Sequence, residues 1–108
     1  MEGHIRKFLL LQRTLQEIDP EFPLRYSVCL AEIALNEGLS LSGLAERADL
    51  GLPTVSRIVG ALSRRRQKGA PPYGLIHVAV STTEHRRKEL YLTARGRAVM
   101  LSLAKIIE

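Results

Sequence analysis

Eight basic side chains fall between Arg57 and Lys88: Arg57, Arg64, Arg65, Arg66, Lys68, Arg86, Arg87 and Lys88, against one acid, Glu84. Of the net charge of +5, this window holds about +7 and the rest of the chain about −2. A basic segment on a near-neutral body suits a polyanionic partner. A solvated, solubilising surface would use the same residues, so charge alone leaves both open. Catalysis has less to work with. The acids are spread over unrelated segments, no nucleophile sits in a recognisable elbow, and no glycine-rich phosphate loop is present. His4, His77 and His85 are scattered without zinc-ligand spacing. The single cysteine, Cys29, excludes an internal disulfide and a multi-cysteine metal site. No metal and no cofactor is expected, and an enzyme is the class the residues support least.

The elements that would carry these side chains can be read from periodicity and breakers. Residues 4–18 place Ile5, Phe8, Leu11, Leu15 and Ile18 at spacings of three and four, an amphipathic helix that Asp19-Pro20 stops. A second helix starts near Pro23 and runs through Leu24, Val28, Ala31 and Leu35 to Asn36-Glu37-Gly38. Ser40 is a plausible N-cap for a short third helix with Leu41, Leu44, Ala45 and Ala48 on one face. Asp49-Leu50-Gly51 is a tight turn. A fourth helix over about 52–65 has Pro53 in its first turn and Val55, Ile58, Val59 and Leu62 as its buried side. Two short helices joined by such a turn form a helix-turn-helix. Residues 67–74 are loop, rich in proline and glycine. Residues 75–80 and 88–92 fit two strands of a hairpin with a charged tip. Thr93 caps a last helix whose apolar side is Val99, Met100, Leu103, Ile106 and Ile107. The fold class is mainly α with a β-hairpin, a winged helix-turn-helix in a single domain over 1–108.

At 108 residues and 45% hydrophobic content the chain supports one modest core. No apolar run approaches the roughly 18 to 20 residues that cross a bilayer, and the first residues lack a signal peptide's long apolar region and cleavage site. The expected location is the cytoplasm.

In detail, Leu44-Ala45-Glu46-Arg47-Ala48-Asp49-Leu50-Gly51-Leu52-Pro53-Thr54-Val55-Ser56-Arg57-Ile58-Val59 resembles, without a gap, the helix-turn-helix of the MarR-type family of transcriptional regulators. Gly74-Leu75 resembles the start of that family's wing. Glu84-His85-Arg86-Arg87-Lys88, Tyr91-Leu92-Thr93 and Gly96-Arg97-Ala98 resemble its tip and exit. The resemblance covers about residues 24–103. It implies that the fourth helix enters the major groove of double-stranded DNA. Arg57 would read guanine bidentately, Thr54 and Ser56 would reach phosphates or bases, and Pro53 would meet a thymine methyl. At the wing, Arg86 would sit in or over the minor groove with Glu84 holding it, beside His85. Arg64, Arg65, Lys68, Arg87 and Lys88 would contact phosphates. For Thr54 and Ser56, ordinary helix N-terminal polarity remains an alternative; for Arg64 to Arg66, a solvated helix end; for Glu84, a simple hairpin ion pair.

Three departures from the family pattern stand out. Gly51 occupies the place of a side-chain cap, Glu84-His85-Arg86 replaces the usual Asp-x-Arg of the wing, and about eight extra residues, 65–72, precede the first wing strand. The final helix that normally completes the family's dimerisation region is missing or fused into 94–108. The stripes on 4–18 and 94–108 exceed what so small a core needs, so they are expected to pack on each other and on a second copy. A homodimer on a palindromic site follows. A ligand pocket beside those helices would have less wall, which disfavours a small-molecule effector. Two other readings stay open: a winged-helix protein-interaction module using the 65–72 loop, and a replication or DNA-organising protein of a mobile element. Cys29 is expected to be a small buried residue.

Overall fold

Five helices and three short strands follow one another in a computed structural model that describes residues 1–64 and 71–108. The helices are α1 (Glu2–Ile18), α2 (Leu24–Leu35), α3 (Leu41–Ala48), α4 (Leu52–Ser63) and α5 (Ala94–Ile107). The strands are β1 (Leu39–Ser40), β2 (Ile76–Val80) and β3 (Lys88–Leu92), in the antiparallel order β1-β3-β2. Pro23 lies just outside α2 as its N-cap, with φ −66° and ψ 141°. Gly38 takes a φ of +95° beyond its C-terminus. Ser40 caps α3 by accepting from the Gly43 N–H at 3.0 Å, and Thr93 caps α5 by accepting from the Gly96 N–H at 3.0 Å.

The core lies where α2, α3 and α4 meet one face of the sheet. Leu30, Ile33, Leu44, Val55, Leu62 and Leu90 are sealed from solvent there. All four residues expected on the buried side of α4 are in this core, with Ala61 beside them. In β3, Leu90 pairs with Leu39 on one side and Val78 on the other. That register puts Leu90 and Leu92 inward and leaves His77 and Tyr91 stacked on the outer face, 5.3 Å apart. β1 is an addition to the expected hairpin. Two residues are too few for a period-2 pattern, and only pairing with β3 makes Leu39–Ser40 a strand.

The structure decides which side of α2 faces the core. Leu24, Val28 and Leu35 point outward, with Leu24 and Leu35 about four-fifths exposed, while Cys29, Leu30 and Ile33 are buried. This helix is apolar on both sides, so periodicity finds two stripes and only the neighbours decide between them. Cys29 is fully buried, and burial, then the Glu32 charge, push its thiol pKa up.

α1 and α5 pack on each other; Leu11, Leu15 and Ile18 of α1 and Val99 and Met100 of α5 are half-buried, and Ile18, Val99 and Met100 pack against the core. Lys7 Nζ donates to the last carbonyls of α5, Ile107 O at 3.4 Å and Glu108 O at 3.0 Å. At the other end of α1, Asp19 Oδ2 accepts from the Tyr73 hydroxyl at 2.6 Å. The Tyr73 ring meets Phe22 and Tyr26 edge-on, at 5.1 and 6.0 Å. This cluster ties the α1–α2 linker to the segment that leads into the wing.

Candidate nucleic-acid interface

The turn between α3 and α4 sets the geometry of α4. Asp49 takes the left-handed conformation, φ 56° and ψ 49°, and its N–H bonds back to α3 carbonyls. Gly51 is extended and is the N-cap of α4, with no side-chain cap hydrogen bond, in keeping with the missing cap noted in the sequence. An aspartate tolerates the left-handed region better than most residues.

On α4, Pro53, Arg57 and Arg64 recur at spacings of four and seven, which is one stripe of the helix. It lies opposite Val55, Val59 and Leu62. Pro53, Ser56, Arg57 and Arg64 are exposed and Thr54 is half-buried. Neither Arg57 nor Arg64 forms an ion pair among the described residues. Arg65 and Lys68, with most of the inserted 65–72 segment, lie outside the described residues.

The wing is fastened to α4 by backbone. Leu75 N–H donates to Leu62 O at 2.8 Å, Tyr73 N–H to Ala61 O at 3.2 Å, and Leu75 O accepts from Thr93 N–H at 3.0 Å. Gly74, at φ +66°, makes the corner, and Thr93 Oγ1 donates to its carbonyl at 2.7 Å. Behind the wing, Glu37 Oε1 accepts from Leu92 N–H at 2.8 Å and lies 3.3 Å from Arg97 Nη2. That N–H first, and then Arg97, hold the Glu37 carboxyl below the ordinary carboxylate range against an opposing desolvation.

At the tip, Arg87 N–H donates to Glu84 O at 2.8 Å across two residues of positive φ, His85 at 48° and Arg86 at 58°. These are the signs of a type I′ turn. Glu84 is paired, but with a different arginine from the one expected. Its carboxylate lies 3.1 Å from Arg87 Nη1, and Arg87 also reaches Glu89 at 3.8 Å. The reason is the turn itself. In a turn closed from residue 84 to residue 87, these two flank the tip on either side, and residue 86 sits at the apex. Arg86 and Lys88 are exposed and unpaired among the described residues, as is the apex neighbour His85.

The structure thus places Pro53, Ser56, Arg57 and Arg64 on an open face of α4 and Arg86, His85 and Lys88 on the wing, and gives Arg87 to an internal pair. Sequence reasoning passed over Ser81, whose Oγ accepts from Thr83 N–H at 3.3 Å and Glu84 N–H at 3.1 Å. The signal was present: Ser81-Thr82-Thr83-Glu84 has the Ser-x-x-Glu spacing of a capping box.

The chain matches no protein-family model and no curated protein. Solved structures are similar to it throughout. The DNA complex of MepR from S. aureus has 20% identity and a TM-score of 0.75, over 96% of this chain and 79% of that one. A MarR family transcriptional regulator from Silicibacter pomeroyi has 21% identity and a TM-score of 0.67, over 96% and 62%. The PcaV transcriptional regulator from Streptomyces coelicolor has 24% identity and a TM-score of 0.66, over 99% and 75%. The chain therefore spans between three-fifths and four-fifths of their lengths. Five helices around a small antiparallel sheet, superposable on these regulators, give this chain the winged-helix fold of the MarR-type proteins.

Proposed function

We propose that the chain binds double-stranded DNA as a homodimeric, repressor-like transcriptional regulator in the cytoplasm. The observation that carries this reading is a set of three open cationic positions on one winged helix: Arg57 on α4, Arg64 at its C-terminal cap, and Arg86 on the wing, none neutralised by a described neighbour. Solvated arginines on an apolar-backed helix suit entry into a major groove. In this reading Arg57 reads a base edge, with Thr54 and Ser56 on bases or phosphates and Pro53 against a thymine methyl. Arg86 lies over the minor groove, with His85 beside it. Arg64 and Lys88 contact phosphates, and Arg65 and Lys68, next in the chain after α4, are assigned the same role. Arg87, committed to Glu84 and Glu89, braces the wing. MepR, similar in fold, has been solved with DNA. Among the described residues no helix is long and apolar enough to cross a membrane.

Assignment to a dimer rests on α1, which buries none of its 17 residues. Its Ile5, Phe8 and Leu9 are half or more exposed, and α5 leaves Ile107 exposed beside them in the packed pair. A helix with so little of its own core gains its order from a partner surface.

Gel-shift titration on random duplex across a salt series tests the reading. Each phosphate contact contributes about −0.9 to the slope of log K against log salt, so a steep decline is expected. Absence of binding at low salt would overturn it.

A further inference from the structure

His85 and Arg86 hold consecutive positive φ values at an exposed tip, where glycine would serve a turn of the same shape without steric cost. Such a conformation persists where its surroundings over-determine it. Those surroundings converge on one side chain. Ser81 is buried, 8% exposed, while residues 82 to 88 around it are all open to solvent. Its Oγ accepts from the N–H groups of Thr83 and Glu84, at 3.3 and 3.1 Å. Its own N–H donates to Arg87 O at 2.7 Å. One residue therefore fastens both arms of the turn: residue 84, which enters it, and residue 87, which leaves it.

We propose that Ser81 is the positioning residue of the wing: it holds the left-handed His85–Arg86 turn and so sets how the exposed Arg86 guanidinium meets the minor groove. The proposal rests on the DNA-binding reading above. An arginine on a tip ordered in advance loses less conformational freedom on binding than one on a loose loop. It can then respond to groove width and to the guanine amino group, the features that distinguish base pairs in the minor groove. Ser81 touches no DNA in this account; it contributes discrimination through Arg86.

The test uses the whole chain and a duplex selected by the wild type from random DNA, with flanks beneath the wing made of G·C or of inosine·C pairs. Inosine removes the minor-groove amino group and leaves the major-groove edge that Arg57 would read unchanged. Wild type is expected to favour the inosine flanks by roughly fivefold. R86A should abolish that ratio and S81A should reduce it to the R86A value. S81T, which keeps the acceptor, should restore it, and so should S81A/H85N, because asparagine accepts the left-handed conformation more readily. General destabilisation would weaken binding to both duplexes alike and leave the ratio unchanged. In the free wild type, the Thr83 and Glu84 amides should exchange more slowly than that of Thr82. Failure of that protection, a wild type without flank preference, or an S81A ratio equal to wild type would each overturn this proposal alone. A wild type that binds neither duplex at low salt would overturn the DNA reading beneath it.

Discussion

Arg57 and Arg64 lie two helical turns apart, about 10 Å along α4, on the stripe that begins at Pro53. Pro53 and Arg57 stand in the half of the helix that would face base edges, and Arg64 at its C-terminal end would stand beside the backbone. Arg57→Ala is therefore expected to weaken a selected duplex by about 1–3 kcal/mol and a random duplex by much less, read by competition titration. Equal losses on both would remove Arg57 from base readout. These positions were legible because an amphipathic helix declares its polar side. The partner of Glu84 was not, because a tip of two left-handed residues moves the pairing from residue 86 to residue 87. Glu37 gives a second consequence at this scale. Its pKa is lower in the folded chain than its ordinary value, because Leu92 N–H and Arg97 favour the ionised form. The folded state thus gains stability above the unfolded carboxyl pKa and loses it as pH falls through the lower folded one. Glu37→Gln should flatten the acid side of a stability–pH profile, measured by urea unfolding from pH 7 to pH 3; an unchanged profile would deny the linkage.

Elements in this fold are joined by backbone contacts that composition does not display. The first turn of α5 sits directly on Leu75, and a Cβ on Gly96 would overlap Leu75 O and C. Leu75 has little room to retreat, since its N–H is bonded to Leu62 and its carbonyl to Thr93. Gly96→Ala should therefore cost about 1–3 kcal/mol, although alanine is the better helix former. A thermal melt would show it as a drop of several degrees; a higher melting temperature would mean that helix propensity prevails. Helix boundaries were readable from Pro20, Pro23, Gly38, Ser40 and Thr93, each a breaker or a cap with a local mechanism. The inner face of α2 and the strand β1 were not, since both depend on what lies across from them.

The whole molecule, with the arm formed by α1 and α5 included, measures 49 × 31 × 26 Å. Its radius of gyration of 14.4 Å exceeds the ~13 Å of a compact chain this long. The aromatic cluster of Phe22, Tyr26 and Tyr73 ties the root of the arm to the reading head, so in a dimer the arm would fix the distance between two α4 helices. Phe8→Glu places a charge in the exposed apolar half of α1, at a position 59% open to solvent. It should convert a dimer to a monomer with unchanged helix content, read by light scattering and circular dichroism. A monomeric wild type at micromolar concentration, or a dimeric variant, would remove α1 from the interface.

By itself the sequence determined the order of elements, the helix-turn-helix, the inner residues of α4 and the concentration of positive charge between Arg57 and Lys88. These depend on local causes: a 3.6-residue period, capping side chains, proline and glycine at breaks, and unlike charges counted along a line. Tertiary structure decided which of two apolar faces of α2 turns inward, that Leu39–Ser40 pairs with β3, and that Glu84 takes Arg87. It also decided that Arg57, Arg64 and Arg86 have no ion-pair partner among the described residues. Each of these is a choice between partners distant in sequence or offset by one residue, and burial, register and the sign of φ settle such choices only when the chain has closed on itself.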